Sequence, residues 1–261
     1  MGVALVITVQ GARRFAGGPL FSLVVLLLLS LGVQAQDLKT VKSPDGKLEF
    51  RIFVASQEDT ALFRLAYQLW YQGQMLLDTS FMGFDIWEQE PLLGENVGLI
   101  GSSTESQANW NGFSGRYMQN GSLGRALEVE TRVYNDGVAF RYHLMRSMPM
   151  SDLYLSEETT EFAIGGPLPA ETSLPLRTER AGAGWMEITE IPRQGFPKMN
   201  LARVTDTVLV SRLSRELGNA RYVMAGKTPM TGPWRIVGVS STRDSLSTKG
   251  IQADLRRTMP Q

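Results

Sequence analysis

Polar and apolar residues alternate with a period of two over much of the chain. In "KLEFRIFV" the residues Leu48, Phe50, Ile52 and Val54 share one side while Glu49 and Arg51 take the other, the pattern of a strand with one buried face. Phe63, Leu65, Tyr67, Leu69 and Tyr71 continue the pattern against Arg64 and Gln68, and "YQGQ" at 71–74 turns the chain between adjacent antiparallel strands. The firmest hairpin is "RVYNDGVAFRY", 132–142. Leu127, Val129 and Val133 alternate before it with Glu128, Glu130 and Arg132, and Val138, Phe140, Tyr142 and Leu144 alternate after it with Arg141 and His143. Gly137, following Asn135 and Asp136, is expected to supply the positive φ of a tight turn. Further strands are expected at 204–213, 221–225 and 234–240.

No stretch keeps an apolar 3.6-residue period between caps, and clusters of Gly, Ser, Pro and Asn at 94–124 and 165–175 read as loops. Many strands with hardly any helix predict an all-β protein, a large antiparallel sandwich over residues 36–246. The first 35 residues stand apart: Arg13 and Arg14 precede the apolar run "FSLVVLLLLSLGV", and Val33-Gln34-Ala35 offers the small residues of a cleavage site. They are read as a signal peptide, cut after Ala35, so the protein is expected to be exported to the periplasm or the extracellular space. The run is shorter than the roughly 20 residues of a membrane span, and no span is expected once it is removed.

Composition narrows the chemistry. Twenty-six basic residues meet 26 acidic ones, without the clustered cationic excess that a nucleic-acid backbone demands. With no cysteine and a single histidine, His143, thiolate and multi-histidine metal sites are excluded and nucleophilic triads have little to build on. His143, opposite Phe140, Tyr142 and Leu144, is expected at a solvent-facing or edge position. "GENVGLIG" lacks the ending of a phosphate-binding loop. Glycoside chemistry would need two carboxylates across a sugar; Glu157, Glu158, Glu187 and Glu190 are available, but are read as solvated. Of the tryptophans at 70, 87, 110, 185 and 234, Trp70 lies on the more polar side of its strand and Trp110 in the polar stretch "SQANWNGFSG". These two are the candidates for stacking on a sugar, and the others are expected to pack in the core.

The hairpin at 132–142 closely resembles the one typical of the amino-terminal domain of glycoside hydrolase family 97, a family of α-glucosidases and α-galactosidases. "SPDGKLEFRI" at 43–52, "YQLWYQGQMLL" at 67–77, "MGFDI" at 82–86, "WMEITEIPRQGFPKM" at 185–199 and "TPMTGPWRIVGV" at 228–239 resemble further segments of that domain in the same order. The resemblance implies a β-super-sandwich similar to galactose mutarotase domains, packed in the family against a following (β/α)8 barrel that holds the catalytic carboxylates. It places "LSTKGIQADLRRTMPQ" at the linker strand before that barrel, so 247–261 is expected to be a linker remnant. A barrel takes about 250 residues, and none is expected in this chain. The resemblance also puts Glu190 at a calcium-ligating glutamate of the family site, although Thr189 and Ile191 stand where the family has His and Ala. Calcium takes about 6–8 oxygens, so it is expected only together with a partner barrel.

The expected function is therefore an exported, non-catalytic β-sandwich that binds an oligosaccharide or α-glycoside or supports a separately encoded catalytic barrel. No catalytic residue is assigned. A small mutarotase-like epimerase is one alternative, for which only His143 is at hand as the histidine partner of a glutamate; a structural surface protein is another.

Overall fold

The computed structural model describes residues 35–56, 63–121, 124–168, 172–215 and 221–259. All but the last residue of the expected signal peptide lies outside them. Burial follows the alternation: Leu48, Phe50, Ile52 and Val54 are buried, as are Val138, Phe140, Tyr142 and Leu144. The resulting strands form three antiparallel sheets, as a period-two sequence with one apolar face requires.

The first sheet runs in the order β1 (Ala35–Lys42), β2 (Leu48–Ser56), β3 (Phe63–Tyr71), β4 (Gln74–Phe81), β12 (Glu161–Ala163), β16 (Val208–Leu213) and β15 (Met199–Arg203). The second runs β13 (Leu176–Arg180), β14 (Gly184–Ile191), β19 (Trp234–Ser240), β10 (Gly137–Leu144), β9 (Ala126–Tyr134), β8 (Trp110–Gln119) and β7 (Val97–Ser106), with β18 (Met230–Thr231) also pairing with β10. A smaller third sheet has the order β17 (Met224–Lys227), β11 (Asp152–Glu158), β5 (Phe84–Ile86) and β6 (Gln89–Leu93). Phe140 of the second sheet lies 6.1 Å from Phe50 and 5.4 Å from Tyr67 of the first, ring centre to ring centre. These two sheets thus face each other across the main core, and Phe84 brings in the third by an edge-on contact of 4.8 Å with Tyr142.

Several expectations are corrected. The segment 94–124, read as loop, carries β7 and β8. Its glycines make room for rings: a Cβ at Gly112 would stand 2.6 Å from the Trp110 indole, and one at Gly115 would stand 2.7 Å from Phe113 and 2.9 Å from Tyr117. The turn of the 132–142 hairpin is at Asn135 and Asp136, but Gly137 is not among the positive-φ residues. Gln72 and Gly73, in the β3–β4 turn, do have φ of 51° and 79°. The expected strand 204–213 is shorter, because Thr205 and Thr207 close a turn before Val208.

The segment read as a linker strand is instead helix α1 (Lys249–Arg257). It lies on the outer face of the second sheet, where Ile251 and Leu255 join Trp110, Tyr134, Ala139, Ile191, Trp234 and Ile236 in a second apolar cluster. Gly137 and Gly238 allow that approach. A Cβ on Gly137 would meet the Val237 carbonyl oxygen at 2.6 Å and Ile251 Cδ1 at 2.8 Å; one on Gly238 would meet Thr248 Cγ2 at 2.6 Å. Among the described residues no helix is long and apolar enough to cross a membrane.

Candidate functional site

The loop between β14 and β15, 192–198, falls within the segment 185–199 that carries part of the resemblance, and it borders two cavities. One, of about 530 Å³, is bounded by Phe196, Pro197 and the segment 222–225; the other, of about 340 Å³, is bounded by Arg193, Phe196, Lys227 and Met230. Behind Phe196, 6.0 Å from its ring, lies the guanidinium of Arg235.

Arg235 is wholly buried, and β19 aims it inward because Trp234 and Ile236 occupy the outer face. Its Nη2 pairs with Glu158 Oε2 and its Nη1 with Glu190 Oε2, while Nε donates to Glu158 Oε1 at 3.0 Å. Glu158 Oε1 also accepts from Thr160 Oγ1 at 2.9 Å, and Thr160 bonds the Tyr142 hydroxyl at 2.6 Å. Burial pushes the Glu190 carboxyl above the ordinary range, and the neighbouring Arg235 only partly offsets it. For Arg235, burial opposes the charge, but Glu158 and Glu190 outweigh it and raise the pKa.

The carboxylates expected to be solvated are therefore not so. Glu157, Glu158 and Glu187 are buried. Glu157 accepts from the Leu213 amide at 2.6 Å and pairs with Arg212 at 3.3 Å; Glu187 pairs with Arg177 at 2.6 Å and accepts from Thr248 Oγ1. A buried charge persists only when it is paired, and these pairs account for the burial. Glu190 itself has Oε1 on the Met199 amide at 3.1 Å and Oε2 on Arg235. As placed, it does not fit a calcium ligand: each oxygen already accepts a hydrogen bond, one of them from a guanidinium that repels a divalent cation. Among the described residues, no group of three or more His, Cys, Asp or Glu side chains could hold a metal ion.

The outer face of the second sheet carries a separate polar centre. Glu130 Oε2 lies 2.7 Å from Arg141 Nε and 2.9 Å from His143 Nε2, and Oε1 lies 3.4 Å from Arg132. Burial alone would raise the Glu130 pKa; hydrogen bonds from His143 and Arg141, with the charges of Arg141 and Arg132, overcome it and hold the carboxyl at about 2. His143 is half-buried, its other ring nitrogen 3.0 Å from Thr231 Oγ1. Arg141 and Arg132 stand over the Trp234 ring at 4.4 and 5.1 Å.

The two stacking candidates are not brought together. Trp70 is half-buried, with Arg51 4.4 Å over its ring and its indole N–H on Gln68. Trp110, expected to be exposed, is buried at 6% exposure, because it opens β8 beneath α1 and Arg132 lies 4.6 Å over its ring. Trp87, expected in the core, is instead half-buried at the β5–β6 turn and lines a surface cavity. One tryptophan in a short strand-turn-strand gave no signal of that position.

Stacked antiparallel sheets, with the buried carboxylates paired to arginines, define a β-sandwich domain. The chain belongs to the family described as glycosyl-hydrolase 97 N-terminal, whose model matches residues 41–173. It is 28% identical over 135 residues to a retaining alpha-galactosidase of Bacteroides thetaiotaomicron, a match covering 46% of this chain and 18% of that protein. Among solved structures, it is similar to a glycoside hydrolase family 97 enzyme of Pseudoalteromonas sp. strain K8 in complex with acarbose, with a TM-score of 0.65 and 16% identity over 78% of this chain and 36% of the other. A beta-arabinopyranosidase gives a TM-score of 0.61 and 21% identity over 79% and 40%. At such identities these likenesses bear on the fold alone. The chain thus spans well under half the length of each of these relatives, and corresponds to the non-catalytic amino-terminal domain of family 97 enzymes.

Proposed function

We propose that this chain is the exported sandwich component of a family 97 α-glycosidase, supporting a catalytic (β/α)8 barrel and contributing to the binding of its carbohydrate. The observation that carries this reading is the partial coverage. The fold takes up 78% of this chain but only 36% of a family 97 enzyme, so the greater part of such an enzyme is what the sandwich would serve. The paired carboxylates support the same division of labour, since Glu158 and Glu190 are tied to Arg235, Glu157 to Arg212 and Glu187 to Arg177. No pair of them is free to act as acid and base across a sugar. Calcium enters this reading only through oxygens that a barrel would bring. Export rests on the amino-terminal signal pattern.

The test is reconstitution. The purified chain is mixed with a separately produced family 97 barrel and analysed by size-exclusion chromatography, and each is assayed on p-nitrophenyl α-galactoside and α-glucoside. Co-elution with the barrel and no turnover by the sandwich alone are expected. Turnover by the sandwich alone, or the absence of any complex, would overturn the reading.

A further inference from the structure

The third sheet presents a surface outside the ion networks above, which shares only Tyr222 with the cavity of about 530 Å³. Along β11 the alternation buries Leu153 and Leu155 and turns Asp152 and Tyr154 outward. Tyr154 is 43% exposed, and its ring packs against Tyr222 with centres 5.1 Å apart and planes inclined by 54°. The β5–β6 turn brings in a third ring. Trp87 and Glu88 connect Ile86 to its cross-strand partner Gln89, Glu88 adopts φ of 54°, and the Trp87 amide donates to the Tyr154 carbonyl at 2.8 Å. Arg221 stands 5.9 Å from the Trp87 ring. Together these residues line an open cavity of about 440 Å³.

Its chemistry is uniform in one respect. Every lining residue among the described ones is either aromatic or a hydrogen-bonding side chain. A sugar has both of the faces this surface offers: C–H groups that lie against rings, and hydroxyls that pair with carboxylates. The volume lies within the range of about 300–1,000 Å³ common for small-ligand sites. The frame is fixed, since β11 is paired on both sides, by β5 and by β17, and Gln89 is held by a bond from Nε2 to the Pro149 carbonyl at 2.5 Å. The carboxylates of Glu88 and Asp152 make no hydrogen bond or ion pair among the described residues, so they are available to hydroxyl donors.

We infer that the cavity bounded by Trp87, Tyr154 and Tyr222 is a surface site for a short oligosaccharide, with the rings as stacking faces and Glu88 and Asp152 as hydroxyl partners. The inference rests on the proposed function only for the choice of probes. Melibiose and panose are titrated into the full chain by calorimetry, with ligand-observed NMR as a second readout. Binding in the millimolar range is expected. Tyr154→Ala should weaken it about tenfold, Asp152→Asn should weaken it several-fold, and Tyr154→Phe, which keeps the ring, should stay within about twofold. Melting temperatures of all three should match the parent, because both positions are exposed. Failure of either sugar to bind at about 20 mM, or unchanged binding by both Tyr154→Ala and Trp87→Ala, would overturn the site. Complex formation with a barrel is read independently: a sandwich that docks but binds no sugar sinks this site alone, and one that binds sugar at Tyr154 but never docks sinks only the barrel-supporting role.

Discussion

At Gly137 a methyl group would stand within 2.9 Å of the Val237 carbonyl, Ile251 Cδ1 and Gly238 Cα, so the smallest side chain is required by a helix lying on a sheet rather than by a turn. Gly137→Ala should therefore lose about 1–3 kcal/mol, the usual result of overfilling a packed site, measured by urea unfolding. A fully retained midpoint would mean that α1 shifts freely to make room. Glu130 gives a second test at this scale, through pH. Its pKa falls from the ordinary 4.5 to about 2 in the fold, so its charged form is favoured by folding. That contribution is complete above about pH 4.5 and is lost as the pH falls toward 2, up to about 3 kcal/mol in all. The urea midpoint of the parent should drop more steeply over that window than that of Glu130→Gln; parallel curves would detach Glu130 from acid stability. Glu190, whose pKa burial raises, works in the opposite sense, its protonated form being the better tolerated one, which is why the comparison with a single variant is needed.

Helix α1 is held chiefly by two apolar side chains and a few hydrogen bonds. Ile251 and Leu255, one turn apart, enter the outer cluster; Thr248 Oγ1 bonds Glu187, Asp254 takes the Tyr134 hydroxyl at 2.9 Å, and Thr258 meets Arg132 at 3.0 Å. Leu255→Ala should cost about 2–5 kcal/mol if the helix stays docked. If the helix detaches, the loss stops at its docking free energy, and the double variant with Ile251→Ala adds little. Limited trypsin cleavage at Arg256 and Arg257 separates the cases, and a Leu255→Ala protein as resistant and as stable as the parent would show that the helix is not anchored by this side chain. The same element shows why parts of the fold were hidden from the sequence. β2, β3, β9 and β10 were legible because each sets a largely apolar inner side against a more polar outer one, whereas β19 turns Arg235 inward and Trp234 and Ile236 outward. α1 has only two inward apolar positions, too few to establish a period. β7 and β8 were obscured because glycine and serine fill the positions where Trp110, Phe113 and Tyr117 need space. In the site, the segment 185–199 was legible through its resemblance, but the burial of Glu158 and Glu190 was not, since it depends on Arg235, more than 40 positions further along the chain.

Arg235 joins parts of the molecule that share little else. It extends from β19 of the second sheet to Glu158 at the end of β11 in the third and to Glu190 on the adjacent β14, beneath the loop that bears Phe196. Arg235 and Glu158 are wholly buried, and Glu190 retains 8% side-chain exposure. Removing the cation would leave two carboxylates facing each other in a medium that solvates neither, so Arg235→Met should lose about 3–5 kcal/mol at neutral pH. The loss should shrink on acidification, as the carboxyls take up protons and the repulsion disappears. Adding Glu158→Gln and Glu190→Gln to Arg235→Met should recover part of the stability, because the unpaired charges are then gone even though the hydrogen bonds are imperfect. Chemical denaturation of the parent, the single variant and the triple variant at pH 7 and pH 4 gives the required comparison. If Arg235→Met stays within about 1 kcal/mol of the parent at pH 7, below the cost of breaking a buried pair, the three sheets are held together by their apolar core alone. If it falls as expected and the triple variant recovers, the ion network is what fixes the third sheet, and with it the Tyr154 surface, against the body of the sandwich.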